Sequence, residues 1–213
     1  PGIDVNTAGS DRKTALMRAA FGGHTETVTA LLAAPGIDVN ATAGGDDTAL
    51  TLAAGEGHTD TVTALLAAPG LEVNAADFLG KTALMRAAGG AHTGTVTALL
   101  AAPGLDVNAA DNLDLTALMQ AAVRGHIETV TALLAAPGLD VNVVDYPGGY
   151  GRTALTLALD LGHTGMVTAL LAAPGINVDT SNAFGETALM QAVKRAERRG
   201  QSEMVTALQL ASI

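Results

Sequence analysis

Apolar and polar positions fall into blocks along this chain, and each block names an element. From Thr14 the residues Ala15-Leu16-Met17-Arg18-Ala19-Ala20 favour helix, and a threonine placed before them accepts a hydrogen bond from an orphan amide one turn on. Gly23 breaks the run, and Val28, Leu31 and Leu32 then recur at the spacing of one helical face. Pro35-Gly36 stops the second helix, since proline cannot continue it and glycine takes the turn. The spacing predicts helix, turn, helix, and an extended turn through Asp-Val-Asn.

The whole block then returns. Pro1-Gly2-Ile3-Asp4-Val5-Asn6 is matched at Pro35, Pro69, Pro103 and Pro137, each 34 residues on, and after 37 residues at Pro174-Gly175-Ile176-Asn177-Val178-Asp179. Thr48, Thr82, Thr116, Thr153 and Thr187 repeat the start of the first helix, and Gly57, Gly125 and Gly162 repeat its end. The pattern predicts one array of units 1–34, 35–68, 69–102, 103–136, 137–173 and 174–213, with the last as a C-terminal cap and the first lacking a distinct N-terminal one. Such units cannot bury their apolar faces alone, so an all-α repeat solenoid is expected.

The residues of the third unit carry a family resemblance. Val73-Asn74-Ala75-Ala76-Asp77-Phe78-Leu79-Gly80-Lys81-Thr82-Ala83-Leu84, then Ala87-Ala88, His92 and Val96 to Leu100, resemble the ankyrin repeat, whose pattern is a D-x-x-G-x-T hairpin, a T-P-L-H-x-A-A helix, G-H and a V-x-x-L-L helix. Ala replaces the Pro after Thr, Met or Thr replaces the His, and Pro-Gly lengthens the unit by one residue. The resemblance spans the chain and implies stacked helix-turn-helix units with hairpin-like loops, the hairpin tips and first helices lining a concave side, and a function in binding a protein partner.

Composition narrows the partner. Only Phe21, Phe78, Phe184, Tyr146 and Tyr150 are aromatic, so the core must be close-packed Ala, Leu, Val and Met. A net charge of −10 disfavours nucleic acid, whose affinity rests on Lys and Arg displacing counterions. No apolar stretch approaches a membrane span, and no signal peptide is visible in a chain whose first residue reads as a cut inside a longer array. A monomer in the cytoplasm or nucleus is the expectation.

No residue set suggests catalysis, a cofactor or a metal. His24, His58, His92, His126 and His163 recur once per unit, hence ~8 to 10 Å apart, too far to share one metal. Asp46 and Asp47 read as solvated turn residues, and Gly148-Gly149-Tyr150-Gly151 lacks the Gly-Lys-Ser/Thr ending of a phosphate loop. Asn40, Asn74, Asn108 and Asn142 follow an acid and Val and resemble the ankyrin pattern of asparaginyl hydroxylases, the alternative being a structural bond across the turn.

Recognition should lie where the units differ. Phe78, Leu79, Leu113, Leu115, Tyr146, Tyr150 and Phe184 put apolar side chains at hairpin tips. Arg18, Leu52, Arg86, Gln120, Leu157 and Gln191 vary at one first-helix position facing the groove, and Arg152 closes a three-residue insertion in the fifth unit. Phe78, Leu79, Arg86, Leu113, Leu115, Gln120, Tyr146, Tyr150, Arg152 and Phe184 are therefore the expected contacts. Lys194 to Arg199 read as a solvated cap. An invariant threonine row, Thr29, Thr63, Thr97, Thr131, Thr168 and Thr206, leaves two other readings open: a consensus-like scaffold without a dedicated partner, and ice binding through a Thr/Ala face.

Overall fold

The computed structural model describes residues 4–42, 44–145 and 151–199, together with 205, 206 and 209. Among them eleven helices follow one another: α1 (Ala15–Phe21), α2 (Thr25–Leu32), α3 (Ala49–Gly55), α4 (Thr59–Leu66), α5 (Ala83–Gly89), α6 (Thr93–Leu100), α7 (Ala117–Arg124), α8 (Ile127–Leu134), α9 (Ala154–Leu161), α10 (Thr164–Leu171) and α11 (Ala188–Arg199). No strand occurs among the described residues, only the isolated bridges Ala76–Thr82 and Ala110–Thr116 at the base of two hairpins.

Each first helix starts where its threonine can cap it. The hydroxyls of Thr14, Thr48, Thr82, Thr116 and Thr153 accept from the backbone N–H three residues on. In α3 and α9 the third helical residue is Thr51 or Thr156, whose hydroxyl accepts the N–H of the capping threonine at 2.9 Å, so the cap is reciprocal. Threonine at the family's histidine position thus has a capping role.

Helices of seven or eight residues do not persist alone in water, so packing must hold them. α1, α3, α5, α7, α9 and α11 stack in one layer and α2, α4, α6, α8 and α10 in a second. Ala20, Ala53, Ala54, Ala87, Ala88, Ala121, Ala122 and Ala158 are fully buried, which lets neighbouring helices approach closely. Val28, Val62, Val96 and Val130, with Leu65, Leu99, Leu133 and Leu170, fill the space between the layers.

Three polar ladders tie each unit to the next. The Asn74 side chain donates to the Gly104 carbonyl at 2.8 Å and accepts the Asp106 N–H at 2.9 Å, and Asn6, Asn40, Asn108 and Asn142 do the same in their units. The asparagine side chain therefore bonds across units, while in Asn6, Asn40, Asn108 and Asn142 the backbone N–H donates to the Asp two residues back in its own turn. His92 Nε2 reaches the Gly55 carbonyl at the C-terminal end of α3 at 3.0 Å, and His58, His126 and His163 reach Phe21, Gly89 and Val123. Those carbonyls lack helical partners, so each histidine closes the first helix of the preceding unit. The hydroxyls of Thr25, Thr59 and Thr93 meet those of Thr61, Thr95 and Thr129 at 2.8 to 2.9 Å.

Candidate functional site

The hairpins are built around a carboxylate. Asp77, with no side-chain exposure, accepts the Leu79 and Lys81 N–H groups at 2.8 Å, and Asp111 accepts those of Leu113 and Leu115 at 2.9 and 3.1 Å. These bonds fold the tip and leave the outer carboxylate oxygen in need of a donor. Arg86, one turn into α5, supplies it with Nε at 3.0 Å and a guanidinium contact at 2.5 Å, while also reaching Asp47 of the preceding hairpin. In the next unit Gln120 donates to Asp111 at 2.8 Å.

The first-helix row varies with its hairpin. Gly9 stands where Asp77 does in the third unit, and a Cβ there would lie 2.1 Å from the Arg18 guanidinium, which bonds Asp11 instead. In the sequence of the second unit Ala43 takes the place of the acid and Leu52 that of the donor, so the two are absent together. Asp145 of the fifth unit faces Leu157, and Arg152 supplies the donor, with Nε 2.9 Å away. Leu52, Gln120, Leu157 and Gln191 are all buried. Packing and hydrogen bonding of the hairpin acid thus account for much of the variation along this row, which sequence reading assigned to recognition alone.

The tips remain outside the core. Phe78, Leu79, Leu113 and Phe184 are 61, 45, 66 and 68% exposed, whereas Leu115 is half-buried against the core. Neighbouring tips are joined through their backbones, Phe78 N–H to the Gly45 carbonyl at 3.1 Å and Asn112 N–H to that of Leu79 at 3.0 Å, so the row is held in register. Tyr146 and Tyr150 lie outside the described residues.

Behind the tips, the first helices of units two to four and the hairpin of the third line a groove of about 340 Å³. Its walls include Leu79, Lys81, Arg86, Gln120 and Arg124, with Gly55 and Gly89 among the positions that open it. Lys81 and Arg124 were not singled out from sequence. Arg152 and Phe184 line a second hollow, of about 310 Å³, with Asp160, Asn182, Glu186 and Gln191.

Among the described residues no group of His, Asp or Glu is placed to hold a metal, and no helix is long and apolar enough to cross a membrane. The exposed Thr29, Thr63, Thr97, Thr131 and Thr168 each donate their hydroxyl to the carbonyl four residues back in their own helix.

The family profile for three consecutive ankyrin repeats matches three times in overlapping frames, at residues 1–77, 50–145 and 118–212. The chain belongs to the ankyrin repeat family. Ankyrin repeats are generally protein-interaction modules. The crystal structure of the ankyrin repeat domain of Bcl-3, a member of the IkappaB protein family, is similar with a TM-score of 0.84 and 28% identity over 97% of this chain and 86% of that one. EF0377, an ankyrin repeat protein, matches in fold with a TM-score of 0.82 and 22% identity over 98% of both chains. No curated protein matches the ankyrin chain by sequence.

Proposed function

We propose that this ankyrin array is a non-enzymatic binding module that takes an extended segment of a partner protein across its hairpin tips and the adjoining first-helix groove. The observation that carries this reading is the apolar row at the tips. Leu79, Leu113 and Phe184 stand 45, 66 and 68% exposed at one hairpin position, where the first two units have Asp11 and Gly45, and Phe78, 61% exposed, stands beside them where those units have Ser10 and Gly44. Large side chains left in water gain nothing for the stack, and aromatic residues are favoured as interface anchors. On this reading the six units form one array, with the last as its cap, and the monomer presents the row. Leu79, Arg86, Gln120 and Arg152 add contacts or hold the groove behind it.

The test is a selection of displayed 12-residue peptides on the folded protein, followed by binding of the enriched peptides to the triple variant Phe78→Ser, Leu113→Ser, Phe184→Ser. Enriched peptides should bind the variant at least about tenfold more weakly while its circular dichroism is unchanged, as expected when anchor residues carry much of the affinity. Equal binding to both proteins, or a selection that enriches no peptide, overturns the proposal.

A further inference from the structure

Between residues 19 and 151 the sequence contains 14 acidic residues and only three basic ones, Lys81, Arg86 and Arg124. All three line the same groove. In a chain of net charge −10 this gathers the positive charge of its central units at one place on the surface described above. The three are not equivalent. Arg86 is spent on Asp77 and Asp47. Lys81 and Arg124 make no ion pair among the described residues, and Glu56 is the one lining carboxylate that no cation covers.

The shape of the groove depends on two glycines. The seventh residue of the first helix is Phe21, Val123, Asp160 or Lys194 in four units, but Gly55 in α3 and Gly89 in α5. The space that a side chain would fill stays open there. The stem of Arg86 lies 3.6 Å from where a Gly55 Cβ would be, and Arg124 Nε 3.7 Å from where a Gly89 Cβ would be. Lys81 stands at the hairpin end of a first helix and Arg124 at the far end of the next one. Leu79, 45% exposed, lines the same groove, and the Phe78 and Leu113 tips stand beside it.

We infer that this groove takes an acidic–apolar peptide segment of a partner protein, with carboxylates meeting Lys81 and Arg124 and a neighbouring aliphatic or aromatic side chain lying against Leu79 and the tips. The inference rests on the proposed binding function and adds the chemistry of the ligand. Two unspent cations beside apolar tips suit a short peptide better than a nucleic acid, which needs many phosphate contacts and would meet the repulsion of the surrounding acids.

The experiment uses the peptides enriched by display on the intact protein. Enriched sequences should carry Asp or Glu within about two residues of Leu, Ile or Phe. A fluorescein-labelled copy of the most enriched peptide should bind at least about tenfold more tightly than its Asn/Gln counterpart, and added salt should weaken it. The double variant Lys81→Glu, Arg124→Glu should weaken it at least about tenfold. Gly89→Leu should do the same without touching a charge. It has no positive φ, the Cβ meets only ordinary contacts, and replacing glycine inside a helix favours the fold, so its melting temperature should not fall.

Enriched peptides without acidic residues, an amide copy that binds within twofold of the acidic one, or full binding by Gly89→Leu overturns the inference. If the triple tip variant still releases such peptides, the binding module stands and only the assigned chemistry falls. A peptide insensitive to tip and groove variants alike overturns both.

Discussion

The coupling of Asp77 to Arg86 can be tested as a thermodynamic cycle, because the second unit already carries the double substitution in its sequence, Ala43 with Leu52. Asp77→Ala removes an acceptor used by the Leu79 and Lys81 N–H groups and by two nitrogens of Arg86. Losing the two backbone bonds costs about 1 kcal/mol each. The guanidinium keeps Asp47 and partial access to water, so its lost partner adds only about 1 kcal/mol, for about 3 kcal/mol in all. Arg86→Leu leaves the buried carboxylate its two N–H donors and should cost about 1.5 kcal/mol. In the double variant no buried charge is orphaned and a leucine enters an apolar site like that of Leu52. The expected loss is about 2.5 kcal/mol, which gives a coupling of about 2 kcal/mol. Urea unfolding of the four proteins, fitted with nearest-neighbour terms because repeat arrays need not unfold in one step, measures each corner. A coupling below about 0.5 kcal/mol would show that carboxylate and guanidinium act independently, and the account of the variable row would fail with it.

Ala91 has φ +61° where Gly23, Gly57, Gly125 and Gly162 stand in other units at +66 to +78°, so Ala91→Gly should stabilise the array by about 1 kcal/mol, read as a higher urea midpoint. The reverse change, Gly57→Ala, adds strain of the same kind and puts a Cβ 2.3 Å from His92 Nδ1; a loss of stability larger than the Ala91→Gly gain is expected from the same titration. Asn74→Ala removes both bonds to the fourth unit and should cost about 1 to 2 kcal/mol, with faster amide exchange at Asp106 than at Asp38 as the local signature. The Asp11 carboxyl is held below its ordinary value, chiefly by the Lys13 N–H, with the charge of Arg18 adding to it against a desolvation that acts the other way. A folded value below the unfolded one stabilises above the unfolded value and loses that contribution as pH falls through the folded one. Asp11→Asn should therefore flatten the fall in stability below about pH 4 and leave the slope between pH 6 and 8 unchanged.

The two kinds of information in this sequence are legible to different depths. Period, helix starts and helix breaks follow from single positions, because a threonine cap or a proline stop acts on the backbone within one turn. Thr82 and Pro69 could be placed without knowing what packs on them. The ladders could not, since a bond from Asn74 to Gly104 joins residues 30 apart and looks in sequence like a local turn bond. The first-helix row is the instructive case. Taken by itself, Arg18, Leu52, Arg86, Gln120, Leu157 and Gln191 reads as a variable, ligand-facing surface. Set beside the hairpin residue of the same unit, it reads as donor matched to acceptor in the third and fourth units, Arg86 with Asp77 and Gln120 with Asp111; Arg152 serves Asp145 in place of Leu157, Arg18 turns to Asp11, and Gln191 donates to the Glu186 carbonyl. That pairing of acid and donor along the copies needs the hairpin geometry to make sense of it. Lys81 and Arg124 are illegible in the sequence for the opposite reason: each occurs once, in different units and at different helix ends, and only the stacking of α5 on α7 brings them to one groove. Features that recur once per unit therefore report how the array holds itself together. The exposed tips and the unspent cations occur without a matching partner in the stack, and they are where a ligand has something to gain.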